Sequence, residues 1–127
     1  MEHEASLLSG LKPTVLVAKS FGTHVAALAH EQRNFKPGVA ILIGTPFAPM
    51  TEQELNRFQV FASSQPTLFI QQEADPGGSA ASLAGALRLN DATISAVPGN
   101  DHLYSNVNEL AKIVLGWPEF QSQHREA

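Results

Sequence analysis

The stretch Val15–His30, VLVAKSFGTHVAALAH, decides how the rest of the chain is read. Val15, Leu16, Val17 and Ala18 form a short apolar run of strand length. From Phe21 the period changes, and Phe21, Val25, Leu28 and Ala29 fall on one stripe of a helix. Only Lys19 and Ser20 separate the two elements. So abrupt a turn forces the serine into a tight corner, and the residues on either side of it, Ala18 and Gly22, are small. The pattern is small-x-Ser-x-Gly, a nucleophile elbow with Ala in place of the commoner first Gly. Such a corner lifts the hydroxyl above the carboxyl end of the strand. It also sets the serine at a helix N-terminus, where free N–H groups face developing negative charge. A serine in this place can equally do no more than cap its helix. The stretch alone leaves both readings open.

Outward from the elbow, strands and helices alternate. Ala5, Leu7 and Leu8 suggest a helical turn or two before Gly10 stops it, and Pro13 precedes the first strand. After the elbow helix, Asn34 and Pro37-Gly38 turn the chain into Val39–Ile43, whose unbroken apolar, β-branched run suits a strand buried on both faces. Thr51 with Glu54 predicts a capping box, followed by Leu55, Phe58, Phe61 and Ala62 at helical spacing. A third strand is predicted over residues 67–71. Ser79 caps a helix with Leu83, Ala84 and Leu87, and Asn90-Asp91 leads into a fourth strand, Ala92–Val97. Val107, Leu110, Ala111 and Val114 mark the last helix, and the tail from Gln121 is polar. The expected class is therefore α/β with three layers: a short parallel sheet of about four strands with helices on both faces. Strands added in one direction with right-handed crossovers put their connecting helices on one face, and the final helix covers the other.

The length of 127 residues suits one compact domain, 1–127, in which 1–12 are an N-terminal extension and 121–127 a frayed tail. No apolar run approaches the ~18 residues of a membrane span, and no secretory leader pattern opens the chain. With no cysteine there is no disulfide framework, thiol nucleophile or thiolate metal site, which fits a cytoplasmic location. A net charge of −4 and eight scattered Lys and Arg residues argue against nucleic-acid binding. A Gly-rich phosphate loop is absent, so no cofactor is expected. His3, His30 and His124 show no metal-ligand spacing.

Three groups fall just past strand ends: Ser20, Asp75 and His102. In an open α/β sheet those ends converge on the ligand-binding edge. A serine becomes nucleophilic when a base takes its proton, histidine can do so at neutral pH, and a carboxylate on the other ring nitrogen sets the tautomer. Each has an ordinary reading as well. Asp75-Pro76-Gly77-Gly78 is good turn chemistry, and His102 in a Gly-Asn-Asp loop can be plain surface polarity. Glu73 is the substitute acid and Asp101 a loop residue; His24, one helical turn after Ser20, is a partly buried helix histidine or approaches the hydroxyl, and Lys19 is a solvated charge or steers an anionic substrate.

Ala18-Lys19-Ser20-Phe21-Gly22, Gly44-Thr45-Pro46, Gln72-Glu73-Ala74-Asp75-Pro76 and Gly99-Asn100-Asp101-His102, in that order, resemble the second half of the α/β-hydrolase superfamily. The likeness is nearest to its dienelactone-hydrolase-like and small esterase branches and runs from Pro13 to Trp117. In that family the serine follows the fifth strand, the acid the seventh and the histidine the eighth; here the matching strands are the first, third and fourth. The resemblance implies a serine hydrolase acting on a small ester or acyl compound, with Ser20 as nucleophile, His102 as base, Asp75 as acid and the N–H of Phe21 as oxyanion donor. Phe47, Met50, Leu103 and Tyr104 are candidates for an acyl pocket, with ordinary packing an equal alternative. The family's first four strands, whose loop supplies a second oxyanion donor, have no counterpart in the chain. Two further readings follow: a non-catalytic binding subunit, or a piece of a longer enzyme. The strand Val15–Ala18 would have an uncovered edge, so a homodimer or a complementing chain is the expected partner.

Overall fold

Four strands lie side by side in chain order, each parallel to the next. They are β1 (Val15–Lys19), β2 (Val39–Ile43), β3 (Thr67–Gln72) and β4 (Ala92–Val97). The helices are α1 (Glu2–Ser9), α2 (Phe21–Arg33), α3 (Glu52–Ala62), α4 (Ala80–Ala86), α5 (Val107–Gly116) and α6 (Pro118–Glu126). The computed structural model describes residues 2–9, 14–87 and 92–126. The stop at Gly10, Pro13 and the Asn90-Asp91 turn lie outside the described residues.

Register explains how one sheet serves two cores. Ala18, Leu42, Phe69 and Ile94 stand in one row across the strands and point to one face. There they meet Ala5 of α1, Val25, Leu28 and Ala29 of α2, Phe58 and Phe61 of α3, and Leu83 of α4. The neighbouring row includes Ile41 and Leu68 and points the other way, into a core with Leu110, Ile113 and Val114 of α5, Trp117, and Phe120 of α6. The three crossover helices thus share a face, as one-directional strand addition requires. β2 and β3 are buried along their whole length. β1 and β4 are the edge strands, and Val17 of β1 is 58% exposed.

Local signals behave as their chemistry dictates. The Thr51 hydroxyl accepts from Glu54 N–H at 3.2 Å and Glu54 Oε1 accepts from Thr51 N–H at 3.0 Å, a complete capping box on α3. Ser79 accepts from Ser82 N–H to cap α4. Two details differ from expectation. On α5 the sheet-facing stripe is Leu110, Ile113, Val114 and Trp117, one step along from the predicted one, and Val107 and Ala111 are exposed. The buried Trp117 is the larger apolar body, and its burial sets the rotation of the helix. The chain after Gln121 continues α6, which starts at Pro118, a residue whose fixed φ favours the first helical position. No helix among the described residues is long and apolar enough to cross a membrane.

Candidate active site

At the junction of β1 and α2 the backbone of Ser20 has φ 53° and ψ −121°. A non-glycine residue held there costs on the order of 1–3 kcal/mol, so the surroundings must enforce it. Ser20 N–H donates to Ile43 O at 2.8 Å, which ties the corner to β2. The buried Thr23 binds Ser20 O twice, through its N–H at 3.0 Å and its hydroxyl at 2.7 Å. A Cβ at Gly22 would sit 3.8 Å from Ala18 Cβ, ordinary contact, so Ala18 leaves room there.

The Ser20 side chain makes no capping hydrogen bond to α2. Its Oγ instead lies 2.7 Å from His102 Nε2. The other ring nitrogen, Nδ1, lies 2.8 Å from Asp75 Oδ2 and 3.0 Å from Oδ1. A carboxylate accepts only, so Nδ1 carries a proton, and in the neutral ring Nε2 is left with a lone pair toward the serine hydroxyl. The helix-capping reading of Ser20 is therefore displaced, and three residues from three strand ends form one hydrogen-bonded line.

A family model described as an alpha/beta hydrolase domain matches residues 2–112. The chain belongs to the alpha/beta hydrolase domain family. No curated protein and no solved structure matches it.

In this hydrolase domain the Asp75 side chain is fully buried, and His102 keeps about a quarter of its side chain exposed. Besides the imidazole, the carboxylate accepts from Gly77 N–H at 2.7 Å through Oδ1 and from the Tyr104 hydroxyl at 2.7 Å through Oδ2. Burial, and then the bond to Asp75, push the Tyr104 phenol well above the ordinary tyrosine value, so it stays a donor. The loop carrying the histidine is bent by two non-glycine residues of positive φ, His102 at 64° and Tyr104 at 51°. Several bonds hold it so. Gln72 Oε1 accepts from His102 N–H at 2.8 Å, Gln72 Nε2 donates to Asp101 Oδ1 at 3.0 Å, and Lys19 Nζ donates to Leu103 O at 2.7 Å. Gly44, at φ 64°, ends β2 beneath this loop. A Cβ there would lie 2.6 Å from Tyr104 Cε2 and 3.2 Å from His102 Cε1, so only glycine lets both rings approach.

The other candidates fall into distinct places. Glu73 is exposed on the turn after β3, and it is Asp75 that binds the imidazole. Asp101 is a loop residue, its carboxyl held below the usual range by Leu103 N–H and then by Gln72. His24 lies 3.3 Å from Pro46 O and stacks on Phe21. Phe21 occupies the first position of α2, where an N–H has no acceptor within the helix. Phe47 is buried in the core beneath α2 to α4, against Gly78, and Met50 packs on the same core. Tyr104 is buried behind the acid, whereas Leu103 is 61% exposed. Of the four residues considered for an acyl pocket, Phe47 and Met50 contact the core, Tyr104 contacts Asp75 and Leu103 faces outward. No group of three metal-ligating side chains occurs among the described residues.

Sequence reasoning missed the supporting residues. Lys19 is exposed yet bonded, not simply solvated. Gln71 and Gln72 end β3 pointing to opposite faces, both buried. Gln71 binds Thr45 at both N and O and also binds Gly78 O, so it ties the loops after β2 and before α4. The available signal was a pair of amides directly after the apolar run Leu68-Phe69-Ile70: buried amides demand partners.

Proposed function

We propose that Ser20, His102 and Asp75 work as the triad of a serine hydrolase acting on a small ester or related acyl compound. The observation that carries this is the serine hydroxyl on His102 Nε2 at 2.7 Å, with Nδ1 on a fully buried carboxylate. In the first half-reaction Ser20 Oγ attacks the acyl carbon while its proton passes to Nε2. The imidazolium, stabilised by Asp75, then returns that proton to the departing alkoxide as the carbon–oxygen ester bond breaks. Water repeats the sequence on the acyl-serine, with His102 again taking and giving one proton. The products are an acid and an alcohol, and Ser20 is restored.

The Phe21 N–H at the start of α2 meets the oxyanion. Phe21 and Leu103, 55% and 61% exposed, follow the nucleophile and the base in the chain and offer an apolar rim for a short acyl group. A fluorophosphonate probe tests the reading. A single covalent adduct on Ser20, found by peptide mass spectrometry and prevented by acid denaturation beforehand, is the expected result. No adduct at saturating probe would favour the second reading, a non-catalytic subunit that uses the same fold to bind.

That second reading draws on the open edge of β1, which among the described residues pairs with β2 alone. Beside it Leu7 and Val17 are exposed, next to Leu16 and Val25, and among the described residues Glu4 is the one charged residue lining this groove. A second copy joined edge to edge about a two-fold axis would cover these residues in both chains. Light scattering at micromolar concentration is expected to give a dimer that Val17→Lys weakens. A well-folded monomer would overturn this assembly.

A further inference from the structure

Behind the triad, one side chain touches both the acid and the strand that presents it. The Tyr104 hydroxyl accepts from Gln72 N–H, the last residue of β3, at 2.6 Å and donates to Asp75 Oδ2 at 2.7 Å. Its ring stands edge-on to His102 with centroids 6.0 Å apart. Both bonds are buried, and the tyrosine backbone adopts a positive φ of 51° to make them. A bulky residue is rarely held there unless its contacts require it. The space it fills is kept open by Gly44.

We propose that Tyr104 is a positioning residue for the triad: its phenol fixes Asp75 against His102 and draws off part of the carboxylate's charge. This rests on the reading of Ser20, His102 and Asp75 as a triad. Oδ2 receives two donors, the imidazole at 2.8 Å and the phenol at 2.7 Å, and they compete for the same negative charge. A hydrogen bond to the charged form of a carboxylate lowers its attraction for a further proton. Removal of the phenol therefore leaves Asp75 a stronger partner for the imidazolium, and His102 holds its proton to higher pH. The phenol proton itself stays on Tyr104, since burial and Asp75 both disfavour the phenolate.

Other charges near the pair are Asp101, adjacent to His102, and Lys19, bonded to Leu103 O. Asp101 is held below the usual carboxylate range and stays ionised across neutral pH. Glu73 is exposed on the turn that precedes Asp75. None of the three is hydrogen-bonded to the Tyr104 hydroxyl, and Asp101 and Lys19 keep their own partners in Tyr104→Phe.

The chain has a single tyrosine, which allows two opposite perturbations. Tyr104→Phe removes the donor, and uniform 3-fluorotyrosine labelling makes it more acidic without removing it. NMR titration of the His102 ring should move up by about half to one pH unit in Tyr104→Phe and down in the fluorinated protein. The acid limb of kcat/KM for an activated ester should follow the same two directions. At the plateau, kcat for Tyr104→Phe should fall about tenfold while KM stays unchanged, because the phenol touches the acid and not the substrate. Packing alone would not give shifts of opposite sign. Unchanged or same-sign titration midpoints in the two folded proteins would overturn the proposal. If Tyr104→Phe does not fold, the fluorinated protein against wild type decides it. If the wild-type chain turns over no ester, the hydrolase reading fails, and the His102 titration still decides the role of Tyr104.

Discussion

Replacing Ser20 with alanine is expected to lower ester turnover by about 10⁴- to 10⁶-fold, the loss found when a triad nucleophile is removed. What remains should be the modest effect of binding and of the Phe21 N–H alone. Stability should stay close to wild type. The hydroxyl makes no capping bond to α2, and its partner His102 is partly exposed and can turn to water. The bonds that hold the elbow run through the Ser20 backbone and Thr23, and alanine keeps them. Steady-state kinetics with p-nitrophenyl acetate, beside a denaturant curve, checks both halves. A folded variant within tenfold of wild type would place the reaction elsewhere on the chain.

Asp75→Asn should cost about 10⁴-fold in kcat, because an amide presents a donor where the imidazole N–H needs an acceptor and so favours the wrong tautomer. Here the structure adds a stability term. The carboxylate accepts from His102, Gly77 N–H and the Tyr104 hydroxyl inside a fully buried side chain. An asparagine retains one acceptor oxygen and sets an NH₂ against one of those donors. The unfolding free energy should fall by about 1–3 kcal/mol, read from the denaturant midpoint. Glu73→Gln, on an exposed turn, should change activity by less than a few fold and stability by less than about 0.5 kcal/mol. Were Glu73→Gln the more damaging of the two, the acid would be misassigned.

The fold was legible wherever the signal is local. Alternating apolar runs and helical stripes located all four strands and the helices between them, and the Thr51 and Ser79 caps appear where their residue types predict. The chain order Ser20, Asp75, His102 pointed to residues that the sheet brings together, although 82 positions separate the serine from the histidine. Strand ends were sufficient for this, since a parallel sheet gathers every such end on one edge. The rotation of α5 was less legible, because two stripes on that helix are apolar and only Trp117 distinguishes them.

The sequence by itself determined the architecture and pointed to Ser20, Asp75 and His102, because periodicity, capping and turn chemistry act between residues close along the chain. Only the tertiary structure decided that the Ser20 hydroxyl faces the His102 ring and not its own helix. Only it showed the Asp75 carboxylate on the imidazole with Glu73 turned outward, and the Tyr104 hydroxyl on that same carboxylate. Lys19 reaches Leu103 across 84 residues, and Gln72 reaches His102 across 30. Such bonds are set by where loops settle once both sheet faces are packed. A buried donor takes whichever acceptor the fold delivers, and no spacing along the chain encodes that choice.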